Sequence, residues 1–499
     1  MSDQVFLARD TNQALGIGEY ALCFLGGNGA PSEAVLNRTK LFHTDAVFCG
    51  LSALALGTNA PVILRAEALD YPDPTGATVF GSPERVKAEK AVVANSSAVR
   101  EWDSNGTNFG YNPSLGHTAG EFGHNDFYPV AVAACQQRGL DGATALRAML
   151  LIDEIRGRLA EVFSLKTYKI DHVVHGAIAS AAVYTALMGG TAEQIESAIG
   201  MFVAHYIPWR AIRAGKQLSD SKGASAAIST EAAVLSAKRA LAGFVGPKDI
   251  FRNPEALFRQ FEKTSGDSPF DLVLGLRGDD FAVMGMHFKL GLYEHQSAGA
   301  LQGLINLLAA NPALRSSSAI EHILIRAYEP AFGIIGDPAK RDPHTRQSAD
   351  HSMVYIVATL LRKAIESPFE TSVPDDLWKA LMLAPVDYGD EALVNPLTRQ
   401  IMEKISFEHG GPEYDARYPD GIPTSVVVTS GGESFDSGLI MYPLGHARNV
   451  VSDLDGALAH KFLMHGSLGL PEGSDVSAAV AKLNRLDQMS ADELIGIYG

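Results

Sequence analysis

Residues 176–188 read GAIASAAVYTALM, and this stretch limits what the chain can fold into more than any other. At helical spacing it is apolar on every side, so it leaves no face for water. Such a helix must be buried among other helices. Its glycine, alanines and serine let neighbouring backbones come close. Similar small-residue stretches recur at 129–135 and 223–233, which predicts a tightly packed helical domain. Gly189 and Gly190 end the apolar helix, and Thr191 with Gln194 form a capping box for the next. Ser32 is placed to cap a helix through 33–56, and Ser490 with Glu493 to open the last one.

After about residue 265 the pattern changes. Residues 322–327 (HILIRA) alternate, and 425–429 (SVVVT), Gly431-Gly432 and 433–442 read as a β-hairpin. Segments 296–309 and 347–365 keep a helical pattern. The expected fold class is mainly α with a smaller α+β domain. A large all-helical domain is built from both chain ends, residues 1–268 and 445–499, and an α+β domain, residues 269–444, is inserted between them.

Composition excludes several functions. The 499 residues carry a formal net charge of -16, which argues against nucleic acid as a partner. The three cysteines, Cys23, Cys49 and Cys135, are far apart and form neither a disulfide framework nor a thiolate metal cluster. The tract 46–64 lacks charges but carries Gly50, Gly57, Asn59 and Pro61, which suits a buried helix and turn better than a membrane span. The start MSDQVFLARD lacks the basic-then-apolar order of a signal peptide. The expectation is a cytoplasmic protein with no membrane partner, the mitochondrial matrix being the alternative in a eukaryote. Gly16, Gly18 and Ala21 make a loose GxGxxA that follows no strand, and no P-loop or GxSxG elbow is present.

Chemistry-bearing residues gather in a few segments. The glycine-rich stretch 99–129 holds Asp103, Thr107, His117, Glu121, His124 and Asp126, and its composition reads as a loop on a helical scaffold. His172 and His175 are three apart, more suited to proton transfer than to a metal pair. Arg210, Arg213, Lys216 and Lys222 form a basic cluster able to hold carboxylates. Lys289 and His295 precede a helix start, Asp350 is placed to cap the helix carrying Tyr355, and 442–448 (YPLGHAR) closes the hairpin. Each segment alone is equally explained by caps, turns and packed side chains.

Together these segments resemble the MmgE/PrpD family, and within it the 2-methylcitrate dehydratase branch. The resemblance rests on AVREWDSNGT (98–107), GHND (123–126), KIDHVVH (169–175), SKGA (221–224), HFK…EHQSA (287–298), ADHSMVYIVA (349–358) and YPLGHAR (442–448). It implies a homodimeric, cofactor-independent hydro-lyase with no metal. The substrate would be a small polycarboxylate: 2-methylcitrate or citrate, dehydrated in the methylcitrate cycle of propionate breakdown. By position it implies catalytic roles for Asp103, Thr107, His124, His172 and Tyr355, with His124 or His172 transferring protons. It implies substrate binding by Lys222, Lys289, Arg213 and His295. The same scaffold supports a cis-aconitate decarboxylase or a dicarboxylate epimerase. A non-catalytic binding protein, or a metal lyase using His117, His124 and Asp126 or the His172/His175 pair, completes the alternatives. The chain departs from the family pattern at Gly106, where an acid is usual, at Asn125, in extra residues within 108–123, and in a shorter stretch from Lys289 to His295.

Overall fold

In a computed structural model, residues 3–213, 217–316, 320–367 and 371–498 are described. Lys216 of the basic cluster lies outside them. The first half is a bundle of α1 (Gln13–Cys23), α2 (Glu33–Ala55), α3 (Asn59–Leu69), α4 (Ala88–Glu101), α5 (Tyr128–Arg138), α6 (Gly142–Val162), α7 (Val173–Leu187), α8 (Ala192–His205), α9 (Asp220–Leu241) and the short α10 (Leu257–Phe261). The apolar stretch forms α7, which packs against α6, α8 and α9. Its small residues serve the close approach expected of them: a Cβ on Gly176 would fall 2.0 Å from Cζ of Phe127. The Thr191/Gln194 and Ser490/Glu493 capping boxes form, and Ser32 accepts the Val35 N–H at 3.3 Å. Among the described residues no single helix is long and apolar enough to cross a membrane; α2 and α3 bend by 91° at their junction.

The helical half is not wholly helical. Short ribbons cross it: β1 (Gln4–Leu7), β2 (Ala30–Pro31), β3 (Pro72–Thr78), β4 (Arg85–Val86), β5 (Thr107–Asn108) and β6 (Gly123–His124), with β7 (Leu272–Gly275) and β8 (Arg277–Gly278). They pair as β1–β7, β2–β8, β3–β4 and β5–β6. Apart from β3 these strands have two to four residues, too few for an alternating pattern to mark them, and β3 (PDPTGAT) carries prolines and a glycine in place of alternation.

Beyond them, β9 (Ile320–Ala327), β10 (Ile405–His409), β11 (Thr424–Ser430) and β12 (Glu433–Asp436) make one sheet in the order β10-β9-β11-β12. β9 runs parallel to β10 and antiparallel to β11, and β11–β12 is the expected hairpin, its second strand ending at Asp436 and not continuing to 442. Gly431 and Gly432 take φ of 59° and 79°, the left-handed pair that a two-residue hairpin turn requires. Helix α11 (Ala298–Ala310) packs on β11, followed by the short α12 (Arg346–Ala349) and by α13 (Met353–Glu366). The helical pattern of 347–365 breaks at 350–352. There Ser352, not Asp350, caps α13, because the Asp350 carboxylate is engaged elsewhere.

Candidate active site

Most of the loop between α4 and α5 lies inside the protein, and only the part around 113–118 reaches the surface. Asp103, Asn105, Thr107, His124 and Asp126 are all buried. Its backbone groups find partners in the β5–β6 ribbon, where Thr107 opposes His124, and in a reciprocal pair of bonds between Thr107 and His287 at 2.9 and 2.7 Å. The Thr107 hydroxyl donates to the Gly123 carbonyl at 2.8 Å. A Cβ on Gly106 would lie 2.4 Å from the Phe42 ring and 2.5 Å from Asn125 Oδ1. Phe42 is itself stacked on Phe288 at 3.9 Å. The acid that the family carries at this position has no room here.

Asp103 is the electrostatic hub. Lys289 bonds its Oδ1, while Lys222 and Arg100 approach Oδ2 at 3.3 Å each. Burial opposes ionisation of Asp103, but Arg100, Lys289, Lys222 and His351 outweigh it and hold the carboxyl well below its usual range. His351 bridges to a second carboxylate: Nε2 is 3.0 Å from Asp103 and Nδ1 is 2.6 Å from Asp350. Asp350 also takes Arg346 at 2.8 Å and Lys222 at 3.7 Å. Burial pulls the Lys222 ammonium down to about 8, against the attraction of Asp350 and Asp103.

Two imidazoles face each other, His124 and His172, with ring centroids 5.1 Å apart. Their environments differ. His172 Nδ1 lies 3.1 Å from Asp171, which is gripped in turn by Arg213. Burial would raise the Asp171 carboxyl, yet the Arg213 guanidinium, helped by the His172 Nδ1–H, holds it well below its usual range. A carboxylate only accepts, so in the neutral imidazole Nδ1 of His172 carries the proton and Nε2 the lone pair. That Nε2 is buried and has no hydrogen-bond partner. His124 Nε2 instead sits 3.4 Å from the Arg100 guanidinium. Arginine only donates, so this lone pair is occupied. Burial, with the Arg100 and Lys289 cations, pushes His124 well below its usual range and keeps it neutral.

Both histidines line one cleft of about 630 Å³, counting its open mouth. Its polar wall carries Arg100, Arg210, Arg213, Lys222 and Lys340, and its apolar wall Phe109, Phe122, Leu218 and Ile334. Nη1 of Arg100 is buried without a partner. Among the described residues Arg210 and Lys340 have no carboxylate within ion-pair distance. Acidic groups in the wall are Asp103, already neutralised, and Glu294. Cations without partners beside a histidine with a free lone pair suit an anionic substrate that must lose a proton.

Residues 28–269 match the MmgE/PrpD N-terminal domain. Over those residues the chain is similar to the MmgE/PrpD family. It is 24% identical over 489 residues to the 2-methylcitrate dehydratase of Escherichia coli strain K12, covering 92% of this chain and 94% of that one. It is 25% identical over 486 residues to the mitochondrial 2-methylcitrate dehydratase of Yarrowia lipolytica, covering 94% and 87%. Over 322 residues, 61% of this chain and 58% of the other, it is 26% identical to a fungal alkylcitrate dehydratase, phiI.

The cleft gathers Asp103, Thr107, His124, His172, Lys222 and Arg213 from the residues expected in the site. Three others lie off it. Tyr355 is buried in the core, its hydroxyl donating to the Asp387 carbonyl at 2.8 Å, because that face of α13 packs inward. His295 stacks parallel on His287 at 5.2 Å and is walled off behind Phe109. Lys289 is wholly buried behind Asp103 and reaches substrate only through it.

The expected metal alternatives also separate in space. His117 pairs with Glu161 at 2.9 Å in another pocket, and His175 bonds the Phe163 carbonyl at 3.0 Å inside the bundle. Among the described residues, Asp103, Asp350 and His351 alone place ligand atoms within 4.8 Å of one another. That group does not fit a divalent cation, since Lys222, Lys289, Arg100 and Arg346 already neutralise its two carboxylates. Sequence reasoning missed Arg100, Glu294, Lys340 and His351 as site residues. Arg100, Glu294 and His351 stood within quoted segments; nothing near Lys340 marked it.

Proposed function

We propose that the chain is a hydro-lyase that dehydrates 2-methylcitrate or a related alkylcitrate. One observation carries this: His172, its Nδ1 proton held by Asp171, keeps a free Nε2 lone pair on a cleft walled by cations. The substrate binds with its carboxylates toward Arg100, Arg210, Arg213, Lys222 and Lys340. These charges also stabilise the enediolate-like charge that builds as the carbon adjacent to a carboxylate is deprotonated. His172 Nε2 removes that proton, a contribution of about 10²–10⁴-fold. Asp103 acts indirectly by fixing Lys222 and Arg100 in place. The wall of Phe109, Phe122 and Ile334 receives the alkyl group, in keeping with the 2-methylcitrate and alkylcitrate dehydratases among the relatives.

Ultraviolet absorbance of purified protein mixed with 2-methylcitrate, citrate and cis-aconitate tests this. New conjugated-alkene absorbance from 2-methylcitrate that survives a chelator is the expected result. Silence on 2-methylcitrate, with cis-aconitate consumed and a decarboxylated product formed, would overturn it in favour of the decarboxylase.

A further inference from the structure

Dehydration needs an acid as well as a base: hydroxide is a poor leaving group unless it departs as water. His124 is a poor candidate, being neutral with its Nε2 lone pair facing Arg100. Asp103 is held ionised by four neighbours. The remaining carboxyl in the wall is Glu294, which stands inside the family-like segment 287–298 with no role implied for it.

Its placement is tightly specified. The N–H of Tyr293 donates to the Asp103 carbonyl at 2.9 Å, and that of Glu294 to the Asp350 carbonyl at 2.8 Å. The 293–294 segment is thus bonded to both loops that form the hub. Oε2 of Glu294 accepts the Gln296 N–H at 2.9 Å, which fixes the side chain while it borders the cleft beside Lys340. We propose that Glu294 is the catalytic acid, delivering its carboxyl proton to the departing hydroxyl in the cleft where His172 takes the carbon-bound proton. The proposal rests on the dehydratase function above. The C–H electron pair becomes the new π bond, the C–O pair leaves on oxygen, and the Glu294 proton turns that oxygen into water. His172 ends protonated and Glu294 ionised, and solvent restores both after product leaves.

The electrostatics agree. Burial raises the Glu294 carboxyl to about 7, with Asp103 adding to the rise and Lys289, the Gln296 N–H and Lys340 resisting it. Tyr328 and Tyr418, the phenols that also interact with it, are held neutral chiefly by burial. One carboxyl is driven down and its neighbour up, the separation that assigns base-side electrostatics to one and acid chemistry to the other.

The test is Glu294→Gln, which keeps the acceptor for the Gln296 N–H but has no acidic proton. In the wild type, kcat falls as pH rises through about 7, because the acid form is lost. In E294Q, kcat at neutral pH drops by about 10²–10⁴-fold, KM changes little, and this alkaline limb disappears. Infrared difference spectra give a readout without turnover: a protonated carboxyl band at neutral pH in the wild type, absent in E294Q. An unchanged circular dichroism spectrum and melting profile show that the variant folds. Full activity in E294Q, or the same carboxyl band in both proteins, overturns the role of Glu294 alone. A wild type silent on every alkylcitrate overturns the dehydratase function and this role with it.

Discussion

Nδ1 of His172 lies 3.1 Å from Oδ1 of Asp171, the residue immediately before it in the chain. Neighbouring side chains rarely meet this way in a regular helix. They do here because Asp171 precedes α7 and its N–H is tied to the Pro208 carbonyl at 2.9 Å. Arg213 then locks the carboxylate from the other side. The pair fixes the tautomer that leaves Nε2 free.

Asp171→Asn is the sharpest test of that tautomer. The amide can present an N–H to Nδ1, which moves the imidazole proton to Nε2 and removes the base. The expected result is a loss in kcat of about 10²–10⁴-fold, the range for general-base catalysis, with KM changed only a few-fold. Steady-state kinetics measures both, and nitrogen NMR of labelled histidine reports the tautomer directly. Retained kcat would move the base elsewhere.

Lys222 predicts a pH dependence of binding. Its ammonium is lowered to about 8 by burial, so it is charged below that pH and neutral above it. A neutral amine neither attracts a carboxylate nor donates three hydrogen bonds to it. KM is therefore expected to rise as pH increases through about 8, while Lys222→Arg, which stays charged, holds KM flat over the same range. The same depression has a stability consequence. Between about 8 and the ordinary lysine value near 10.4, the unfolded chain binds the extra proton, so this group's contribution makes folding more favourable as pH rises. Substrate titrations at several pH values check the first statement.

Lys289 separates structural from binding effects. It is completely buried and bonded to Asp103. Lys289→Met removes one of the cations that keep a buried carboxylate ionised, and breaking such a pair typically costs about 3–5 kcal/mol. The loss is expected in urea unfolding, as a lower midpoint with an unchanged slope. Folded K289M should bind substrate more weakly only to the extent that Asp103 shifts. A large rise in KM with unchanged stability would place Lys289 against the substrate instead.

Legibility in the sequence followed the range of the interaction. The Thr191 capping box, the Gly431-Gly432 hairpin and the all-round apolar α7 depend on residues within a few positions of one another, and all three formed as the pattern required. Asp103, Thr107, His124, His172 and Lys222 were legible only as a set, through resemblance, because the cleft assembles them from three separate segments. Tyr355 lies off the cleft, and its place at a helix start does not reveal which face of the helix turns inward. Asp350 failed as a cap because Lys222, Arg346 and His351 compete for its carboxylate. Lys340 and Glu294 reach the cleft through tertiary packing alone.

Phe122 predicts the range of alkyl groups accepted. It sits in the stretch 108–123 that departs from the family pattern, edge-on to Phe109 with centroids 5.6 Å apart. The Lys166 ammonium lies over its ring at 4.1 Å, and Lys166 is anchored to the Gly120 carbonyl at 2.6 Å. This support keeps the ring from yielding, so the apolar wall has a set depth. Phe122→Ala removes the ring and leaves the lining cations Arg100, Arg210, Arg213, Lys222 and Lys340 in place. Apolar pockets discriminate about 10-fold or more per methylene. The ratio of kcat/KM for a longer alkylcitrate over 2-methylcitrate is therefore expected to rise by about tenfold in F122A, with citrate turnover least affected. Competition between the two substrates in one mixture measures that ratio directly. An unchanged ratio would mean that the alkyl group lies elsewhere in the cleft, with Leu218 the next residue to shorten.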